Sequence, residues 1–212
     1  MHVLVVGAHG QIGRRLIHAI DGSEHTARAM VRDSAQVEQM QAIGATDVVV
    51  ADLEGDCSEA LDGCDAVVFT AGSGGHTPPE KTEDVDRNGA ISIIDQAEKA
   101  GVRRFVMVSA MNADTPEEGP EHMLHYYRAK GAADNRLRES ELEYTIVRPG
   151  KLTEEDGTGL VNIAKDLGYR GEIPREDVAQ VILYTLDSPN TIGRHFEVLS
   201  GDTPIEKAVR GV

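Results

Sequence analysis

Seven short, largely apolar runs recur along this chain, at residues 3–6, 27–31, 48–51, 66–69, 105–108, 144–147 and 196–199. Runs of that length, rich in Val and Ile and without polar alternation, are what strands buried on both faces require. Between them the spacing changes. Ile12, Leu16, Ile17 and Ile20 recur at intervals of three and four, as do Ile91, Ile94, Ala97 and Ala100, which gives amphipathic helices. The second of these faces suits either the core or a contact with another copy, so a homodimer is left open. Strand and helix alternate through most of the chain, which sets the fold class as α/β, a doubly wound, mostly parallel sheet with helices on both faces. Ligands of such sheets sit beyond the carboxyl ends of the strands. Function is therefore expected just after Val6, Val31, Val50, Phe69, Val108 and Val147.

The chain has 212 residues, enough for one well-buried core, and neither a low-complexity linker nor an internal repeat divides it. Residues 1–212 therefore read as a single domain with small substrate-side elements at the C-terminal end. Residues 203–206 read as a capping box, with Thr203 as cap, Pro204 at the first helical position and Glu206 reaching back. A net charge of −15 repels nucleic acid and anionic lipid. No apolar run approaches the roughly 18 residues that cross a bilayer, and the opening MHVLVVGAHG has no basic leader and no small-residue cleavage site. The expectation is a cytoplasmic protein whose partner is a small molecule. Cys57 and Cys64, the only cysteines, read as reduced thiols. The basic residues are 15 Arg and 6 Lys; an acidic, Lys-poor surface fits adaptation to high salt, where self-repulsion is screened, and equally fits a GC-rich genome.

The first run leads directly into Gly7, Ala8, His9, Gly10, Gln11, Ile12, Gly13 and then a helical pattern. Gly7 can take the positive φ of a tight turn, Gly10 lets the backbone approach a pyrophosphate, and Gly13 lets the helix pack close to the strand. The helix N-terminus then offers unpaired N–H groups to the phosphates. Strand, turn and helix in that order read as a binding site for a nicotinamide dinucleotide, with the side chain of His9 covering it.

Arg32 stands at the end of the second run, where a site for NAD usually places an acid against the ribose hydroxyls. A guanidinium there meets a 2′-phosphate as a fork, which favours NADP. NAD is the alternative, because Asp33 follows immediately. After the third run Asp52 and Leu53 are placed to meet the adenine, although Asp52 equally suits the cap of a following helix. After the fourth run, residues 70–75, with Ala71 and Gly72 among them, make a second small-residue turn of the kind that close approach to a ligand needs.

These residues resemble the atypical branch of the short-chain dehydrogenase/reductase superfamily, the NAD(P)H-binding and epimerase/dehydratase-like proteins of Rossmann fold. The likeness spans nearly the whole chain. It is carried by GAHGQIG at 7–13, VRD at 31–33, AGSG at 71–74, GVRRFVMVSA at 101–110, YTIVRPG at 144–150 and IPREDVA at 173–179. The resemblance implies a catalytic Ser, Tyr and Lys. Tyr126 and Lys130 have the required spacing of four on one helix face, and Lys130 would also hold the nicotinamide ribose. An ammonium nearby, together with the positive ring of the cofactor, would favour the phenolate and let Tyr126 act as acid or base near neutral pH. Ser109 ends the fifth run, but Ala110 and Met111 stand where the extended enzymes carry a Ser or Thr. Tyr126 and Lys130 can thus also be read as cofactor contacts only. The resemblance further puts Pro149 and Gly150 at the nicotinamide and Arg175, Glu176 and Asp177 at the start of a helix on the substrate side.

His122 and His125 share a helix face, but no spacing supplies a third ligand, so no metal is expected. The acidic stretch 114–121 reads as a solvated loop or as a lid over the substrate. Taken together, these features imply an NAD(P)-dependent oxidoreductase or epimerase/dehydratase-like enzyme acting on a small carbonyl, quinone, flavin or sugar-like substrate. The alternative is a non-catalytic NADP(H)-binding redox sensor or regulatory protein.

Overall fold

The computed structural model describes residues 1–73 and 79–212. The seven apolar runs are the strands β1 (His2–Val6), β2 (Thr26–Val31), β3 (Asp47–Val50), β4 (Ala66–Phe69), β5 (Arg104–Val108), β6 (Glu143–Pro149) and β10 (Arg194–Ser200). Four further strands escape a reading by apolar runs: β7 (Lys151–Thr153), β8 (Leu160–Ala164), β9 (Glu172–Pro174) and β11 (Thr203–Pro204). The main sheet runs β11-β8-β10-β6-β5-β4-β1-β2-β3, while β7 and β9 pair by themselves. All pairs from β3 to β10 are parallel, and β8 closes that edge antiparallel to both β10 and β11. From β1 the chain winds outward to β3 and then returns to β4 on the other side, so the strand order reverses between β1 and β4.

The helices are α1 (Gln11–Asp21), α2 (Val37–Ala42), α3 (Ser58–Leu61), α4 (Pro79–Thr82), α5 (Ala90–Ala100), α6 (Leu124–Arg138), α7 (Arg175–Leu186) and α8 (Ile205–Arg210). Side chains of β1 alternate across the sheet. Val3 and Val5 join Ile12, Leu16, Ile17 and Ile20 of α1 and Val178, Val181 and Ile182 of α7 on one face. Leu4 and Val6 join Ile93, Ile94 and Ala97 of α5 and Leu137 of α6 on the other. Each such fully buried side chain stabilises the fold by roughly 1.5–3 kcal/mol relative to exposure, which pins the carboxyl end of β1 between two packed layers. Ile94 and Ala97 of the expected α5 face thus belong to the core, while Ile91 is half-buried and Ala100 exposed.

Helices α4 and α5 are joined by a π-helical stretch, Glu83–Gly89, whose wider turns rotate Asp86 into the interior. Such segments interrupt otherwise regular helices most often at functional sites. The expected capping box is not formed. Thr203 and Pro204 pair with Val161 and Leu160 as a strand, and Pro204 precedes the first helical residue with no side-chain cap. Extending the sheet satisfies the backbone of Thr203 where a helix cap would have left it in a loop. Among the described residues no helix is long and apolar enough to cross a membrane.

Candidate functional site

At the strand-order reversal the chain leaves β1 through Gly7, whose φ is +81°. A Cβ on Gly7 would lie 2.6 Å from the backbone of Ala71, and one on Gly13 would lie 2.5 Å from the Gly7 carbonyl oxygen. Only glycine lets these segments approach so closely. The Gly10 amide donates to the Gly7 carbonyl at 2.9 Å. Gly10 then caps α1 without a side chain, and no acidic residue stands in the first helical turn. The N–H groups at that end are left for an anionic ligand.

Two cavities open there, of about 550 and 1020 Å³, and both are lined by Gly10, Thr70, Ala71 and Gly72. They form one cleft across the carboxyl ends of β1 and β4. Gly74 and Gly75, the remainder of the expected second turn, lie outside the described residues.

The smaller end is lined by His9, Arg32, Asp52 and Leu53. The His9 ring meets Gln39 of α2 at 3.0 Å. The carboxylate of Asp33 accepts from the Ala35 amide at 2.9 Å, capping its own 3₁₀ turn. Arg32 is exposed at the mouth and makes no ion pair with any described residue. Asp52 accepts from the Glu54 amide at 3.0 Å in a local turn while lining the cavity; it does not cap the following helix, which begins at Ser58.

The larger end gathers Gln11, Ile12, Ser109, Tyr126, Lys130 and Pro149, together with Ala110, Met111, His122, His125, Gly150 and Arg175. Helix α6 carries Tyr126 and Lys130 one turn apart. The Lys130 side chain is 3% exposed, with its Nζ 3.5 Å from Asp86 Oδ1 and 5.6 Å from the Phe69 ring centre. Ser109 donates to Asp134 Oδ2 at 2.9 Å. Arg148 donates to the same oxygen at 2.7 Å and, through two nitrogens, to both oxygens of Asp114 at 2.7 Å each. Those hydrogen bonds from Arg148 hold the Asp114 carboxyl down at about 2. Burial pushes the Asp134 carboxyl up, against the pull of Arg148 and Ser109.

The family model described as NAD(P)H-binding matches residues 7–189. The chain belongs to this NAD(P)H-binding family. It is 48% identical over 214 residues, covering 99% of each chain, to a Bacillus subtilis (strain 168) protein named as an uncharacterized sugar epimerase, YhfK. A solved Bacillus halodurans structure, provisionally named an NAD-dependent epimerase/dehydratase, superposes with a TM-score of 0.98 at 47% identity over 100% of both chains. The oxidoreductase ylbE of Lactococcus lactis superposes with a TM-score of 0.88 at 31% identity, over 100% of this chain and 96% of that one. The fold is the Rossmann fold of the atypical short-chain dehydrogenases/reductases, and the family is one that binds a nicotinamide cofactor.

Four of the expectations meet specific surroundings in this NAD(P)H-binding chain. Lys130 lies against Asp86. Burial, followed by the negative charge of Asp86, pushes the Tyr126 phenol above its ordinary value, so the free protein holds it as an acid. Ser109 donates its hydroxyl hydrogen bond to Asp134 Oδ2, which turns the hydroxyl hydrogen away from the cavity. The stretch 114–121 is no purely solvated loop, because Asp114 is anchored by Arg148 and Arg138. Asp177 is buried at the start of α7 and holds the loop at Thr158 and Gly159 through three hydrogen bonds of 2.9–3.1 Å; it does not reach the cavity, whereas Arg175 does. Sequence reasoning missed Asp86, Asp134 and Arg148. Asp86 and Asp134 have charged and polar helical neighbours and so carry no local signal, whereas Arg148, among apolar strand neighbours, is a charge that needs a buried partner.

Proposed function

We propose that the chain is an NADP-dependent oxidoreductase or epimerase/dehydratase-like enzyme acting on a small carbonyl, quinone, flavin or sugar-like compound. The observation that carries this reading is the continuity of the cleft: the glycine turn, Arg32, Tyr126 and Lys130 all open onto it. The glycine turn fits the pyrophosphate of the cofactor, because Gly7 and Gly13 let strand, turn and helix pack closely while Gly10 lines the cleft without a side chain. Amides at the start of α1 hold the phosphates. With Asp33 turned to its own cap, the Arg32 fork is free to take the 2′-phosphate and discriminate NADP from NAD. Lys130 binds the adjoining ribose from the floor of the cleft. Bound there, the nicotinamide supplies or accepts the hydride. Tyr126, kept protonated by its surroundings, donates its phenolic proton to the substrate oxygen as that oxygen gains negative charge. The 1020 Å³ cavity must hold the reactive end of the cofactor as well as the substrate, which favours a small molecule.

One observation supports a second reading. Ser109 is committed to Asp134, and Ala110 and Met111 complete the wall, so no serine hydroxyl is free to polarise a substrate carbonyl. A redox sensor that binds NADP(H) without turnover has this wall. The deciding experiment follows NADPH oxidation across a panel of quinones, flavins, aldehydes and ketones. Turnover of any of them that falls at least a hundredfold in Tyr126→Phe supports the enzyme. Tight cofactor binding with no turnover across the panel supports the sensor.

A further inference from the structure

Among the described residues, Asp86 is the one buried charged group lining the cleft for which the cofactor reading provides no role. It is 0% exposed, and its Oδ2 accepts from the Ser73 amide at 3.0 Å. Its Oδ1 is buried, has no hydrogen-bond partner, and stands 3.5 Å from Lys130 Nζ. That separation exceeds the 2.7–2.9 Å of a closed ammonium–carboxylate bond. The same molecule does close such a bond elsewhere, since Lys151 Nζ meets Glu172 Oε1 at 2.6 Å. Lys130 makes no hydrogen bond with any described residue, although its ammonium has three donors.

A buried acceptor and a buried donor thus lie side by side, each with capacity left over, on the wall of the larger cavity. Burying charged groups in this state is costly unless a ligand completes them. The chemistry of the pair restricts that ligand. A second anion would be repelled by Asp86 and a cation by Lys130. A neutral hydroxyl group donates to the one and accepts from the other, and two neighbouring hydroxyls engage both in full. Space for such a group is kept open by Gly72, where a Cβ would stand only 3.2 Å from Asp86 Oδ1.

We propose that Asp86 is a cofactor-binding residue: its Oδ1 accepts a hydrogen bond from a hydroxyl of the ribose adjoining the nicotinamide, while Lys130 donates to the same diol. This rests on the cofactor reading above and extends it to a residue on the π-helical stretch. Asp86 also fixes where the Lys130 ammonium points, so the two act as one clamp on the reactive half of the cofactor.

The test compares Asp86→Asn with the parent chain in calorimetric titrations of NADP⁺ and of 2′,5′-ADP, which lacks the whole nicotinamide mononucleotide half. NAD⁺ and ADP serve as a second pair. In Asp86→Asn the Ser73 amide retains the amide oxygen, leaving an NH₂ group to face Lys130 and the ribose. The proposal expects NADP⁺ affinity to fall roughly ten- to hundredfold, the range of a hydrogen bond to a charged group, with 2′,5′-ADP affinity changed less than twofold. Unchanged NADP⁺ affinity, or an equal loss for both ligands, overturns it. Should the variant fail to fold, a dinucleotide analogue with hydrogens in place of the nicotinamide-ribose hydroxyls is titrated into the parent chain; the same loss supports the proposal, and parent-like binding overturns it. If none of NADP⁺, NAD⁺ and the two shorter nucleotides binds the folded parent, the cofactor reading itself fails, and this inference with it.

Discussion

Replacing Arg148 with Met should destabilise the protein far more than removing any surface charge. The Arg148 side chain is 5% exposed and lies between Asp134, which is fully buried, and Asp114, which is 43% exposed. With Met at that position Asp134 keeps only the hydrogen bond from Ser109, and its second oxygen has no partner at all. Asp114 fares better, since water and Arg138 at 3.1 Å remain to it. Breaking one side of a buried pair costs about 3–5 kcal/mol, a large share of the roughly 5–15 kcal/mol that holds a domain together. For a chain of this size that lowers Tm by roughly 6–20 °C. Urea unfolding at pH 8, where protonation of Asp134 gives least relief, is the appropriate assay. The double variant Arg148→Met, Asp134→Leu removes both buried charges and should recover most of the loss, as replacement of whole buried pairs commonly does. It also frees the Ser109 hydroxyl to turn toward the cavity. A single variant costing under about 1 kcal/mol, or a double variant no better than the single, refutes the argument.

Two further outcomes follow from the same geometry. The Asp114 carboxyl is depressed to about 2 by Arg148, so its contribution to stability is complete above its unfolded value near 4 and is lost as pH falls from there toward 2; Asp114→Asn should flatten that part of a pH series of urea melts, and an unchanged acid limb contradicts the pairing. Gly13→Ala places a Cβ 2.5 Å from the Gly7 carbonyl oxygen and 2.8 Å from Ala8, which should cost about 1–3 kcal/mol by overpacking and weaken cofactor binding; parent-like stability in thermal melts would show that the turn is looser than it looks.

Much of the fold was legible because a sheet covered on both faces writes itself as unbroken apolar runs, as in Val3, Leu4, Val5 and Val6. Strand β8 was hidden by its position near the antiparallel edge, where only Val161 is fully buried and Asn162 and Ala164 are part-exposed. Thr203 was misplaced because a cap and an edge strand use the same residue types, and pairing with Val161 prevails. In the cleft, the Gly7 turn and the Tyr126–Lys130 spacing are local patterns that a single segment displays. Partners of buried charges are not local. Asp86 reaches Lys130 from another helix, and Arg148 reaches both Asp134 and Asp114 from a strand, so no period along the chain announces them. For the same reason the protonated state of Tyr126 could not be read from its helix alone, since Asp86 is one of its causes.

The central claim is that this cleft takes a phosphorylated nicotinamide dinucleotide on the Gly7 turn with Arg32 at its outer end. Calorimetric titration of the parent chain and Arg32→Glu with NADPH, NADP⁺, NADH and NAD⁺, in low and in molar KCl, tests it most directly. The account predicts that the parent binds the phosphorylated pair more tightly and that Arg32→Glu loses that preference while retaining NADH and NAD⁺. Absence of binding by all four to the folded parent chain would contradict it.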